Sequence, residues 1–68
     1  MKVFQDRLKE QRELYHLTVR QIAEKLGMTH SAYLRYEKGT AEPTREVLVK
    51  LADIFDVSVD YLLGRKEL

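Results

Sequence analysis

The sequence contains no cysteine, no tryptophan, one proline and only three glycines. Without cysteine the chain forms neither disulfides nor thiolate metal sites, which is typical of a reducing compartment. The two histidines, His16 and His30, are too few to make a structural metal site between them. We therefore expect no metal and no cofactor.

Long apolar runs and a strong net charge are also missing. No run approaches the ~20 apolar residues that cross a bilayer, and no signal-peptide pattern opens the chain. We therefore expect a cytoplasmic protein with no membrane partner. Twelve basic residues against eleven acidic ones leave a formal net charge of +1, so any indication of nucleic acid must come from where the charges lie.

The composition suits one small helical domain. The 68 residues are 44% hydrophobic and 34% charged, as in globular proteins. A chain of this length buries only about 60% of its unfolded surface, so its stability must come from tight helix packing or a partner. Apolar residues recur three and four apart and never alternate over a strand length, which predicts an all-α fold.

Five helices are predicted, and the first two meet at a turn near His16. The first covers about residues 3–15, and its inner face carries Phe4, Leu8, Gln11 and Arg12. The second begins with a capping box, Thr18 with Gln21, and a hydrophobic staple, Leu17 with Ile22. Its buried residues are Ile22, Ala23 and Leu26, and Gly27 ends it in the left-handed conformation.

The third helix is predicted over residues 29–37, with Thr29 as its N-cap. Tyr33 and Tyr36, three residues apart, point inward, which leaves on the outer face His30, Ser31, Leu34 and Arg35. The inward phase of the two tyrosines favours core packing over a stacking platform for single-stranded bases.

Residues 38–43 read as a loop, and two further helices follow. Thr44 caps the fourth, whose inner face is Leu48, Leu51, Ala52 and Phe55. Ser58 caps a short fifth helix, stapled by Val57 and Leu62 and ended by Gly64. We expect one domain over residues 1–64 and a polar tail over residues 65–68.

The second and third predicted helices are separated by little more than Gly27 and Met28. A short turn containing glycine sets two helices at roughly 90–120° and requires a small residue at the crossing, which Ala23 supplies. The apolar anchors are Ile22, Leu26, Met28, Tyr33 and Tyr36. This arrangement leaves hydrogen-bonding side chains that can reach base edges in a major groove: Thr29, His30, Ser31 and Arg35.

Three segments resemble the helix-turn-helix family of Cro and phage repressors, the xenobiotic-response-element family. They are LTVRQIAEKLGMT at 17–29, YLRYEKG at 33–39 with Pro43 following, and the closing stretch 48–64. Together the resemblance covers about residues 4–64. It implies a compact five-helix, lambda-repressor-like domain that binds double-stranded DNA sequence-specifically as a transcriptional regulator, with repression as the expected mode.

The resemblance also assigns roles by position. Base readout falls to Thr29, His30, Ser31 and Arg35, and Arg12 pairs with Glu37 at the end of the recognition helix. The expected phosphate contacts are Arg12, Thr18, Val19, Arg20, Lys38, Thr40 and Arg45. The family commonly has a phosphate-clamping glutamine where this chain has Val19, which leaves backbone N–H groups as the donors there. It often has glycine or asparagine where His16 stands, so His16 must adopt positive φ.

One recognition helix reads too few base pairs for genomic specificity, so we expect a homodimer on a pseudo-palindromic operator with half-sites about 34 Å apart. The predicted interface is Val57, Val59 and Tyr61. The alternative is a protein-interaction module, such as an antitoxin or an accessory subunit, because apolar residues exceed one core stripe at Val47, Val49, Ile54 and Val59. An enzyme is disfavoured, since the sequence indicates no paired-carboxylate cleft, no nucleophile with a neighbouring base, no phosphate-cradling glycine loop and no metal cluster.

Overall fold

A computed structural model describes residues 2–67, and this part of the chain is built from five α-helices with no strand. The helices are α1 (Lys2–Leu14), α2 (Val19–Leu26), α3 (His30–Lys38), α4 (Arg45–Phe55) and α5 (Val59–Leu62). The all-α, five-helix prediction is confirmed, with boundaries that differ by about one residue at most ends. Within residues 2–67, no helix has both the length and the apolar character needed to cross a membrane.

The predicted caps are present at the start of α2, α3, α4 and α5. In each case a hydroxyl accepts the backbone N–H three residues later, at Thr18, Thr29, Thr44 and Ser58. The capping box is complete, because the Thr18 N–H also donates to Gln21 Oε1 at 2.8 Å. Hydroxyl caps of this kind satisfy N–H groups that the helix itself leaves unpaired.

Two helices are ended by residues other than glycine in the left-handed conformation. His16, with φ of 56°, turns the chain after α1, as the resemblance implied. Asp56, with φ of 54°, caps the C-terminus of α4. Aspartate tolerates this conformation better than most side chains, but nothing in its neighbourhood marked the position in advance.

The core lies where all five helices meet. Its largest fully buried side chains are Leu8, Ile22, Tyr33, Leu51, Phe55 and Leu62. Gln11 is buried as predicted, and its amide donates to the Tyr61 hydroxyl at 3.5 Å. Leu34, expected on the outer face of α3, is half-buried, and Tyr36 is half-buried rather than fully enclosed.

Residues 65–67 belong to the predicted polar tail and are exposed, and Arg7 of α1 bonds to two of them. The Arg7 guanidinium donates to the Lys66 carbonyl at 2.7 Å and to Glu67 at 2.9 Å. It also lies 4.3 Å from the ring centroid of Tyr61. Residue 68 lies outside the described residues.

Candidate nucleic-acid interface

The turn between α2 and α3 has the geometry expected of a helix-turn-helix. Gly27 adopts φ of 72°, and the Met28 N–H donates to the Ala23 carbonyl at 3.0 Å. Hydrogen bonds of this type satisfy the last carbonyls of a helix and reverse the chain within a few residues. Thr29 then caps α3 by accepting the Ala32 N–H at 3.1 Å, so the turn is short and closed at both ends.

The anchors predicted for this pair of helices lie in or against the core. Ala23 is buried, as a crossing point between closely packed helices requires. Ile22, Leu26 and Tyr33 are also buried, while Met28 and Tyr36 are half-buried and pack against them. The inner faces of α2 and α3 are thereby fixed, which fixes which residues face outward.

The outer face of α3 and its N-cap is polar and exposed. All four side chains predicted to read bases are exposed: Thr29, His30, Ser31 and Arg35. Among residues 2–67, Arg35 takes part in no ion pair, so its guanidinium is not engaged by a carboxylate of the domain. The structure therefore presents these residues to a partner; their contacts with bases remain a prediction.

Two further groups of predicted contact residues precede and follow α3 in the chain. Thr18 and Arg20 are exposed at the start of α2, and Val19 between them is half-buried against the core. The first N–H groups of a helix have no partner inside it and favour anions. Beyond α3, the exposed candidates are Lys38, Thr40 and Arg45. Their phosphate contacts also remain predictions.

Beneath the outer face lies a buried ion pair, the predicted one between Arg12 and Glu37. Arg12 Nε donates to Glu37 Oε2 at 2.6 Å and Arg12 Nη2 donates to Glu37 Oε1 at 3.2 Å. The side chains are only 14% and 7% exposed. The hydrogen bond to Glu37, together with its charge, raises the pKa of Arg12 above its ordinary value, and burial opposes this rise.

The network around this pair is larger than the sequence indicated. Arg12 Nη1 also donates to the Leu17 carbonyl at 2.9 Å, so all three guanidinium nitrogens donate within the domain. This arrangement gives Arg12 a positioning role, and its phosphate contact stays a prediction. The Tyr33 hydroxyl donates to Glu37 Oε2. Burial, and secondly this hydrogen bond, raises the pKa of Tyr33.

Of the three predicted dimer residues, Tyr61 is the one that the structure buries. It is 6% exposed, and its ring lies beneath the Arg7 guanidinium inside the domain. It can therefore offer little surface to a second copy. Val57 and Val59 are half-buried and pack against the core, so their part in an interface stays a prediction.

Most of the sequence matches a known protein family. A family model described as helix-turn-helix matches residues 8–62. The chain belongs to the helix-turn-helix family. The resemblance to Cro and phage repressors is thereby confirmed, and the family is one of DNA-binding transcription regulators rather than of enzymes.

Relatives of this helix-turn-helix protein carry regulator names. The uncharacterized HTH-type transcriptional regulator YqaE of Bacillus subtilis is 44% identical over 61 residues, which is 90% of this chain and 53% of YqaE. The cryptic phage CTXphi transcriptional repressor RstR of Vibrio cholerae is 42% identical over 60 residues, which is 88% of this chain and 54% of RstR. The chain thus spans about half the length of these curated relatives.

Solved structures share the fold. The P22 c2 repressor protein, crystallised in complex with a synthetic operator, superposes with a TM-score of 0.87 at 23% identity. That match covers 97% of this chain and 100% of the other. A solution structure of the SOS-response transcriptional repressor LexA from Eubacterium rectale also gives a TM-score of 0.87, at 26% identity, covering 97% of this chain and 70% of the other. Both confirm the phage-repressor type of fold.

Proposed function

We propose that this helix-turn-helix domain binds double-stranded DNA sequence-specifically and regulates transcription, with repression as its mode. The observation that carries the proposal is the outer face of α3, where base-reading side chains are exposed while the opposite face of the helix is buried. A helix held in this way can enter a major groove without rearrangement, as recognition helices do.

The base contacts fall to one helical face. Arg35 is the principal reader, because arginine bonds the O6 and N7 atoms of guanine with two parallel hydrogen bonds. Thr29, His30 and Ser31 lie at the start of the same helix, which is the end that contacts bases in helix-turn-helix complexes. Each polar side chain here can donate or accept a hydrogen bond at a base edge.

Phosphate contacts on both sides of α3 would fix its register in the groove. At the start of α2 these come from Thr18, Arg20 and the N–H of Val19, and beyond α3 from Lys38, Thr40 and Arg45. Between residues 18 and 45 there are five basic and three acidic residues, whereas residues 51–63 carry three aspartates and no basic residue. This uneven placement would orient the first surface toward the duplex.

We further propose that the protein acts as a homodimer in the cytoplasm, associated with the nucleoid when bound to DNA. A two-fold pair of recognition helices would read pseudo-palindromic half-sites about 34 Å apart. The names of similar proteins support the repressor role: RstR is named as a cryptic phage transcriptional repressor, and the P22 c2 repressor was solved in complex with a synthetic operator. Val57 and Val59 are the remaining candidates for the interface.

The alternative, a protein-interaction module, depended on surplus apolar residues. Val47, Ile54 and Val59 prove to pack against the core, so the core accounts for most of that surplus. Val49 alone remains largely exposed, at 46%. Large apolar side chains are also exposed at Val3, Leu14 and Tyr15, and scattered exposed apolar side chains are ordinary on a protein surface.

The test is selection of bound duplexes from a random-sequence pool at a stated salt concentration, followed by gel shift on the enriched sequence. We expect one motif to be enriched and to bind at least about 1,000-fold tighter than an unrelated duplex. Lys50→Ala, a change on the exposed side of α4, is the matched control and should enrich the same motif. A pool with no enriched motif contradicts the proposal and favours the protein-interaction module.

A further inference from the structure

Tyr33 combines complete burial with a hydroxyl that the proposed DNA contacts do not use. Its side chain is 0% exposed, and the ring meets the Tyr36 ring edge to face with centroids 6.2 Å apart. The hydroxyl donates to Glu37, four residues later on α3. Core packing explains an aromatic ring at this position, but a phenylalanine would pack equally well. Packing therefore does not explain why the ring carries a hydroxyl.

The acceptor of this hydroxyl is in an unfavourable place. Glu37 lies in the last turn of α3, where the helix dipole disfavours a negative charge, and its side chain is almost fully buried. Within residues 2–67 its carboxylate is held by two groups, the Arg12 guanidinium and the Tyr33 hydroxyl. Arg12 ties this end of α3 to α1, while Tyr33, on the same helix as Glu37, orients the carboxylate that Arg12 binds.

The hydrogen bonds continue from Glu37 toward α2. Arg12 links the Glu37 carboxylate to the Leu17 carbonyl, and Leu17 immediately precedes the cap of α2. A continuous series of bonds, Tyr33 to Glu37 to Arg12 to Leu17, thus connects the end of α3 with the start of α2. These are the two places at which phosphate contacts are proposed.

We propose that Tyr33 acts through its hydroxyl as a positioning residue for DNA recognition. By fixing Glu37, and through Arg12 the carbonyl of Leu17, it sets the spacing between the two phosphate-contacting ends. This inference rests on the proposed function. A sequence-specific complex requires both ends in register with the backbone, whereas non-specific binding is electrostatic and tolerates looser geometry. Loss of the hydroxyl should therefore weaken specific binding selectively.

The decisive comparison is Tyr33→Phe against Tyr36→Phe. Both remove one hydroxyl from α3 and keep the ring, but the Tyr36 hydroxyl makes no hydrogen bond within residues 2–67. Affinities for the selected duplex and for an unrelated duplex are measured at a temperature where circular dichroism shows every variant fully folded. We expect Tyr33→Phe to lose about fivefold in the ratio of the two dissociation constants. Tyr36→Phe should leave both dissociation constants unchanged. Tyr33→Phe should leave the dissociation constant for the unrelated duplex unchanged.

Amide hydrogen exchange in the DNA-free protein gives a second measurement. The Thr40 N–H donates to the Arg35 carbonyl at 2.9 Å and closes the end of α3, so its hydrogen exchange should become faster in Tyr33→Phe and not in Tyr36→Phe. An unchanged affinity ratio overturns the inference, even if exchange at Thr40 becomes faster, since the hydroxyl would then be structural only. If the wild type itself prefers no duplex, the proposed function is wrong and the inference falls with it.

Discussion

Replacing Glu37 with alanine is the substitution for which the structure predicts the largest loss of stability. The change leaves the Arg12 guanidinium buried, with 14% of its side chain exposed, and without its counter-charge. It also removes the acceptor of the Tyr33 hydroxyl in the core. Breaking a buried ion pair from one side costs about 3–5 kcal/mol, and we take the lower end because Arg12 keeps its bond to the Leu17 carbonyl.

That loss is comparable with the stability of the whole domain. At ~0.05–0.15 kcal/mol per residue, a chain of 68 residues is stable by roughly 3–10 kcal/mol. For a domain of this size each kcal/mol shifts the melting temperature by about 4–8 °C. We therefore expect Glu37→Ala to lower the melting temperature by at least about 12 °C.

The assay is thermal and urea unfolding followed by circular dichroism at pH 7. Asp6→Ala is the matched control, because it breaks the exposed Lys2–Asp6 pair and should cost less than about 1 kcal/mol. Arg12→Met combined with Glu37→Gln removes both charges and keeps an acceptor for Tyr33, so it should recover much of the loss. A melting temperature for Glu37→Ala within about 4 °C of the wild type would refute the role assigned to the pair.

Three further predictions concern phosphate binding, a helix end and pH. Lys38→Ala should weaken all duplexes alike and reduce the slope of log affinity against log salt by about one unit; a loss confined to the selected duplex would argue against a phosphate contact. Asp56→Asn keeps a side chain that tolerates the left-handed conformation and removes a negative charge from the end of α4, so calorimetry should show a melting temperature higher by roughly 2–6 °C. The raised pKa of Tyr33 gives stability that is complete below pH 10 and is lost as the pH rises further, because only the unfolded chain then releases the proton. Above pH 10 the urea midpoint should therefore fall more steeply in the wild type than in Tyr33→Phe, by up to about 1.4 kcal/mol per pH unit in the free energy of unfolding; parallel profiles would contradict this assignment.

Structural features that depend on residues close together in the chain could be predicted from the sequence. The capping box of Thr18 with Gln21, the left-handed Gly27 and the caps of α3, α4 and α5 each depend on residues three or fewer apart. The spacing of apolar residues then predicted which face of α3 is buried. The pairing of Arg12 with Glu37, 25 residues apart, came from the family resemblance and not from spacing.

Features made across the fold could not be predicted in this way. α5 is a single turn, so its apolar residues have no periodicity that separates an inner from an outer face, and the sequence did not indicate that Tyr61 would be buried. Its ring lies under the guanidinium of Arg7, 54 residues away in the sequence, which also bonds to Lys66 and Glu67. The hydrogen bond from Tyr33 to Glu37 did have a local signal, because residues four apart share one helical face, but nothing in the sequence showed that Glu37 would be buried.

The most direct test of the central claim measures the affinity of wild type and Arg35→Ala for the selected duplex and each of its single base-pair variants. We expect that changing one guanine-containing base pair will cost the wild type about 1–3 kcal/mol of binding free energy. Arg35→Ala should bind the original duplex more weakly by the same amount, and changing that base pair should not weaken its binding further. Identical discrimination at every position by wild type and Arg35→Ala would contradict the account of α3 as the element that reads DNA.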